Sequence, residues 1–230
     1  MIWQVPRIWE GGDVWILGGG PSVPKQFNIP DKVVQEVVAG ASPSVYSPYM
    51  SFLHNKHVIG INVAYLIGDW IDMVFFGDAS FFLPHQQRLA LFPGMKVSCH
   101  AGVEKYKWVR YVGKDPNKTK GISNNLNMVS WNGNSGAAAI SVAAHAGAKR
   151  IMLLGFDMSL DNNRQHWHDI YHRGNKPDLK KMPFNRHLRG FSDIAKDARR
   201  LGIEIVNVSP NSAINEFRKV SLKDFMNECS

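Results

Sequence analysis

Two apolar runs, each of strand length and each closing on a glycine turn, constrain this chain most. Val14-Trp15-Ile16-Leu17 leads into Gly18-Gly19-Gly20-Pro21-Ser22, and Arg150-Ile151-Met152-Leu153-Leu154 leads into Gly155-Phe156-Asp157-Met158. Short unbroken apolar runs bounded by turn residues read as strands buried on both faces. Three consecutive glycines carry no Cβ, so their backbone N–H groups are open to an anion. The second turn delivers the Asp157 carboxylate at the carboxyl end of its strand, the edge where open α/β sheets bind ligands. Together the two turns point to a nucleotide.

The rest of the chain repeats this alternation. Strand-like runs are expected at 13–18, 57–62, 72–78, 95–98, 150–155 and 204–208, with helical patterns at 135–146 and 186–201 between them. Strands alternating with helices predict an α/β fold: a Rossmann-like, doubly wound and mostly parallel sheet. Asn134 or Ser135 fits the N-cap of the first helix, with Gly147 as its stop. Gly202 ends the second helix before the run Ile203 to Val208, which closes on the polar Ser209-Pro210-Asn211-Ser212. Residues 39–51 read as a loop, and the basic stretch 105–127 and the histidine-bearing stretch 161–183 as insertions. A single domain over 1–230 is expected, with 159–189 as a lid.

At 230 residues with 44% apolar and 20% charged content, the chain has enough material for one sizeable core. The formal charge of +8 fits either a solvated basic face or attraction for a nucleotide or polyanion. Cys99 and Cys229 lie far apart without metal-ligand spacing, which suits a reducing compartment. No signal-like start and no long apolar run occur, so a soluble, cytoplasmic protein without a membrane span is expected.

Several residues carry candidate chemistry, each with a plainer alternative. The glycine turn is neither G-x-G-x-x-G nor a Walker A loop, which argues against an NAD or flavin site and against a P-loop kinase. It is either a tight strand-to-helix turn or, with Pro21 and Ser22 at a helix start, a phosphate cradle. Asn62 and Asp78 each end a strand and either cap a following helix or hold a base, a ribose or a metal. In Gln165-His166-Trp167-His168-Asp169-Ile170-Tyr171-His172, the histidines fit an exposed loop, a metal site or a general base such as His168. His187 is either a surface histidine or a proton acceptor beside phosphate-binding Arg186 and Arg189. Trp108 and Trp131 beside the basic stretch read as core and rim residues, or as stacking platforms for single-stranded nucleic acid.

Taken in order, Gly19-Gly20-Pro21-Ser22, Asn62, the run Val74 to Phe82 around Gly77-Asp78-Ala79-Ser80, Ser135-Gly136, Gly155-Phe156-Asp157 and Pro210-Asn211-Ser212 resemble the bacterial sialyltransferases of the Campylobacter type. They are also similar to a wider group that includes the MptE-like 6-hydroxymethylpterin diphosphokinases and uncharacterised phage-encoded proteins. The resemblance implies a Rossmann-like sheet and a CMP-sugar donor held by Gly19 to Ser22, by Asn62 and by Asn134, Ser135 and Gly136. Asp78 stands where those enzymes have an asparagine. Ser159 takes the place of their first tyrosine, Gln165 or His166 falls near the second, and Asn132 replaces an arginine. His187 falls near their histidine after a small gap. The resemblance thus implies the nucleotide-binding frame rather than sialyl transfer itself.

The expected function is a nucleotide-dependent transferase of glycosyltransferase type, with a nucleotide-activated, CMP-sugar-like donor and a small-molecule or glycan acceptor. Gly18, Gly19, Gly20, Pro21, Ser22, Asn62, Asp78, Asn134, Ser135, Gly136, Asp157, Asn211 and Ser212 are its expected nucleotide-binding residues. His187 or His168 is the base, with Arg186 and Arg189 on phosphate. One alternative is ATP-dependent diphosphate transfer to a hydroxymethyl group, with Mg²⁺ held by Asp78 and Asp157. Another is a phage accessory protein in a bacterial host cell that binds a nucleotide or contacts DNA without catalysis.

Overall fold

The computed structural model describes residues 2–171 and 183–228. Residues 172–182 of the expected lid, with His172, lie outside the described residues, as does Cys229. In chain order the strands are β1 (Asp13–Leu17), β2 (His57–Ile61), β3 (Met73–Phe76), β4 (Met95–Ser98), β5 (Arg110–Tyr111), β6 (Gly113–Lys114), β7 (Met128–Val129), β8 (Arg150–Leu154), β9 (Glu204–Asn207) and β10 (Arg218–Lys219). The helices are α1 (Ser22–Gln26), α2 (Asp31–Val38), α3 (Ala79–Leu91), α4 (Ser135–His145), α5 (Phe184–Leu188), α6 (Phe191–Leu201) and α7 (Leu222–Glu228).

Successive side chains of a strand point to opposite faces, and here both faces are apolar. Trp15 and Leu17 of β1, Val74 and Phe76 of β3 and Met152 and Leu154 of β8 share one buried layer with Val23, Phe82, Leu89 and Phe225 from helices. Val14 and Ile16, Met73 and Phe75, and Ile151 and Leu153 share the other with Ala137 to Ile140 of α4 and Phe191, Ile194 and Ala198 of α6. Burial of each such side chain is worth about 1.5–3 kcal/mol, which makes short, turn-bounded strands worth forming. The result is one eight-stranded sheet in the order β10-β9-β8-β1-β2-β3-β4-β5, each neighbouring pair parallel, with β6 and β7 as a small separate pair. The doubly wound α/β fold is therefore present. Sequence order reverses between β1 and β8, so that pair is the topological switch point.

Helix α4 begins as its sequence demands. Asn134 is extended at φ −159° and its side chain accepts the Ala137 N–H at 2.8 Å, while Gly147 at φ +95° follows the last turn. Three expectations need correction. The pattern at 186–201 is broken into α5 and α6 at Gly190, where a Cβ would come within 2.6 Å of the Asn132 Cβ. Residues 43–51 of the expected loop belong to 3₁₀ turns that run over Pro43–Leu53, started by Ser42 accepting the Ser44 N–H. The basic stretch is tied down rather than open. Asp115 Oδ1 accepts the N–H groups of Asn117 and Lys118, Ser123 donates to Asp115 Oδ2 at 2.6 Å, and Lys118 pairs with Asp197 at 2.8 Å. Lys114 lies 3.9 Å over the Trp131 ring. No helix among the described residues is long and apolar enough to cross a membrane.

His145 donates from Nε2 to the Ser123 carbonyl at 2.7 Å, since a carbonyl only accepts. Burial pushes His145 and His85 below the ordinary histidine value of 6.5. Both stay neutral in the fold at pH values where the unfolded chain takes up a proton. Stability is therefore fully present above about pH 6.5 and falls as pH drops below it. Urea denaturation between pH 7.5 and 4.5 is expected to show that fall. His145→Gln, which keeps a donor for Ser123 and does not titrate, is expected to shrink it.

Candidate functional site

The turns after β1 and β8 meet at the switch point so closely that side chains are excluded. A Cβ on Gly18 would lie 2.7 Å from the Gly155 carbonyl, and one on Gly20 would fall on Asp157 Oδ2. Gly18 N–H donates to Leu154 O at 2.8 Å and Gly20 N–H to Gly155 O at 2.9 Å. The Gly18 and Gly20 N–H groups are thus committed to the fold rather than open to an anion. Asp157 is buried and its Oδ2 accepts the Ser22 N–H at 3.1 Å. Burial raises its carboxyl pKa, opposed by its hydrogen bonds to the Ser22 side chain and backbone. Ser22 Oγ also lies 3.2 Å from Ser209 Oγ, which accepts the Gly155 N–H at 3.1 Å. Ser212 donates to the Phe156 carbonyl at 2.6 Å. Ser22, Asp157 and Ser212 therefore hold the two turns together.

Beside this junction lies a cavity of ≈ 130 Å³, walled by Gly18 to Gly20, Asn62, the first turn of α4, Met158, Phe184 and His187. The amino end of α4 opens into it with the positive end of the helix dipole. The Ser135 hydroxyl is buried there with no hydrogen-bond partner. Asn134 caps the helix with its oxygen and donates from Nδ2 to the His187 carbonyl at 3.2 Å, which fixes α5 against α4. Asn62 sits at φ +52°, a left-handed conformation that costs an asparagine less than most residues. Its Oδ1 is likewise buried without a partner. Tyr171, absent from the expected site, closes the far side. Its hydroxyl takes hydrogen bonds from the Val63 backbone and the Asn62 side chain, and desolvation of that hydroxyl raises its pKa. The histidines of this segment mask it in sequence, and nothing local marks its reach to the loop after β2.

His187 lines the cavity, and burial together with Arg186 lowers its pKa to about 4. Arg186 Nη2 is 3.4 Å from His187 Nε2, and a guanidinium only donates, so the imidazole proton sits on Nδ1. Arg186 and Arg189 are exposed and line neither this cavity nor its neighbour beyond Tyr171. His168 is also outside both: it is buried, stacked on His166 with centroids 5.2 Å apart and edge-on to Tyr171 at 4.7 Å. The segment around it instead braces the glycine turn. Trp167 donates from its backbone to Gly19 O and from its indole to Gly18 O, both at 3.0 Å. Neither Pro21, which is buried, nor Asn211, which is exposed, is among the residues that wall the cavity.

No family model matches the chain, and no curated protein matches it in sequence. Its fold was compared with solved structures. A sialyltransferase from Campylobacter jejuni in complex with the substrate analogue CMP-3FNeuAc is 14% identical, with a TM-score of 0.48 over 91% of this chain and 86% of that one. The same enzyme with cytidine-5'-monophosphate gives a TM-score of 0.45 at 14% identity over 90% and 83%. Identity and superposition are too low for these neighbours to carry a functional conclusion, which rests on the residues of the site.

The expected Mg²⁺ pair does not fit. Asp157 is turned onto Ser22, whereas Asp78 is exposed and lines the other cavity. No group of three or more metal-ligating side chains occurs among the described residues. The packing at the junction sets a stability test. Gly20→Ala drives a methyl into Asp157 and is expected to cost roughly 1–3 kcal/mol or more, read from the denaturation midpoint. Ser135→Ala, which removes a buried hydroxyl that has no partner, is expected to raise stability by roughly 1–3 kcal/mol, read from the same midpoint.

Proposed function

We propose that this protein is a nucleotide-dependent transferase of the glycosyltransferase kind, which takes the phosphate of a nucleotide-activated donor at the amino end of α4. The observation that carries the reading is the unpartnered Ser135 hydroxyl, buried beside a helix start at the switch point of a parallel sheet. A buried hydroxyl without a partner costs about 1–3 kcal/mol, a deficit that a phosphate oxygen removes. The Asn62 Oδ1, a buried acceptor without a partner on the same cavity, suits a donor group such as a sugar hydroxyl rather than the phosphate itself. The sequence resemblance to nucleotide-sugar transferases falls on these same residues.

The chemistry follows from the walls. The nucleoside lies toward Phe156, Met158 and Phe184, and the leaving phosphate lies against α4 and Ser135. As the bond from sugar carbon to phosphate oxygen breaks, its electron pair moves onto the phosphate, where the helix end and hydroxyl stabilise it. The incoming hydroxyl passes its proton to His187 Nε2, which must first leave its contact with Arg186; burial and Arg186 keep the ring neutral at pH 7, so that nitrogen carries no proton beforehand.

Isothermal titration with CMP, UDP, GDP and AMP tests the reading. At least one is expected to bind with a dissociation constant below a millimolar. Ser135→Ala and Asn62→Gly, the latter keeping the left-handed turn while removing the amide, are each expected to weaken that binding about fivefold or more. His187→Ala is expected to lower turnover by about 10²-fold while changing nucleotide affinity little. No binding of any nucleotide at millimolar concentration would overturn the reading.

A further inference from the structure

A second cavity of ≈ 430 Å³ opens beyond Tyr171, and the chemistry above leaves it without an occupant. It shares Asn62 and Tyr171 with the phosphate cavity and adds Asp78, Ser80, Phe81, Pro84, His85 and Ile170. Its size falls in the range of about 300–1,000 Å³ typical of small-molecule sites.

Its polar groups are hydrogen-bond acceptors more than donors. Asp78 stands at the N-cap position of α3, where a carboxylate ordinarily bonds the first helical N–H groups, yet its side chain makes no such bond. The residue is exposed and lines the cavity instead. The Asn62 Oδ1 is a buried acceptor with no partner. His85 is fixed by the Tyr65 hydroxyl, 3.0 Å from its Nδ1, and by stacking on Phe81 with centroids 4.7 Å apart. Burial and the nearby Arg88 hold it uncharged. Phe81, Pro84 and Ile170 supply apolar faces. Among the described residues the lining thus carries one negative charge and no lysine or arginine.

We propose that this cavity seats the sugar of the donor, and that the sugar is uncharged, with Asp78 selecting against an acidic one. The inference rests on the nucleotide reading above and extends it to the group transferred. A pyranose offers hydroxyls that donate to a carboxylate in charge-assisted bonds, and C–H faces that pack on an aromatic ring and a proline. The cavity adjoins the phosphate seat through Asn62, so a group attached to that phosphate reaches it, while the nucleoside runs the other way toward Phe184. A uronic or other acidic sugar would bring its carboxylate against Asp78, with no cation among the described lining residues to offset the repulsion.

Two nucleoside-free probes test the cavity apart from the base. Binding of glucose 1-phosphate and glucuronic acid 1-phosphate is measured by ligand-observed NMR titration at low salt. The wild-type protein is expected to bind the neutral sugar phosphate at least about tenfold more tightly, which is about 1.4 kcal/mol. Asp78→Asn, a change at an exposed side chain, is expected to tighten the acid and bring the two within about threefold. Inorganic phosphate, measured alongside, is expected to bind both proteins equally. Equal binding of the two sugars by wild type, a gap unchanged in Asp78→Asn, or no binding of either sugar phosphate would each overturn the proposal. Nucleotide titration of the same samples separates that failure from failure of the phosphate seat.

Discussion

The turns after β1 and β8 pack against each other without room for a side chain, and the site depends on that contact. The sheet brings the two strand ends together because they are neighbours at the point where sequence order reverses. Gly18 and Gly20 let the backbones close, Asp157 ties the junction to the start of α1, and Ser209 ties it to the end of β9. Everything nearby takes its position from this joint. Trp167 reaches it from one side with its indole on Gly18, and α4 approaches from the other, with Gly136 against the Phe156 ring.

This changes what the polar residues around the switch point do. A carboxylate and several serines at a strand edge invite a ligand, yet Asp157, Ser22 and Ser212 already satisfy one another or the backbone. Among the described residues that line the cavity, the groups left unsatisfied are the Ser135 hydroxyl and the Asn62 amide oxygen. A buried polar atom without a partner is costly, so its persistence at a cavity wall separates binding groups from scaffolding. Conformation and chemistry coincide at Asn62, where a left-handed backbone and an unpartnered amide oxygen occur in one residue that lines both cavities.

The fold was legible where local chemistry decides it. Apolar runs such as Val74 to Phe76 read directly as buried strands, and the Asn134 cap and Gly202 stop follow from intrinsic preferences. The break at Gly190 was not legible, because it answers to Asn132, distant in sequence. The site was legible as a list of turns but not as a division of labour. Whether a glycine opens a binding loop or admits a neighbouring backbone depends on what lies across from it. Tyr171 shows the same limit: its role comes from a reach to Val63 and Asn62 that no spacing encodes. Of the two described histidines in its segment, His168 packs on His166 and Tyr171, and His166 lines the cavity with its Nδ1 3.3 Å from the Gly19 carbonyl.

The two outermost strands, β5 and β10, are each only two residues long and carry Arg110, Arg218 and Lys219. A parallel sheet with apolar faces would be hazardous if it ended in a long, neutral strand, whose unpaired backbone groups would recruit another chain. Here the edge offers a newcomer little more than one turn's worth of hydrogen bonds and meets it with positive charge. Arg218 is further engaged with Glu228 of α7 at 2.9 Å, so a helix end is fastened beside that margin. The same architecture that gathers the binding groups at one rim of the sheet thereby protects its flanks from fibrillar growth.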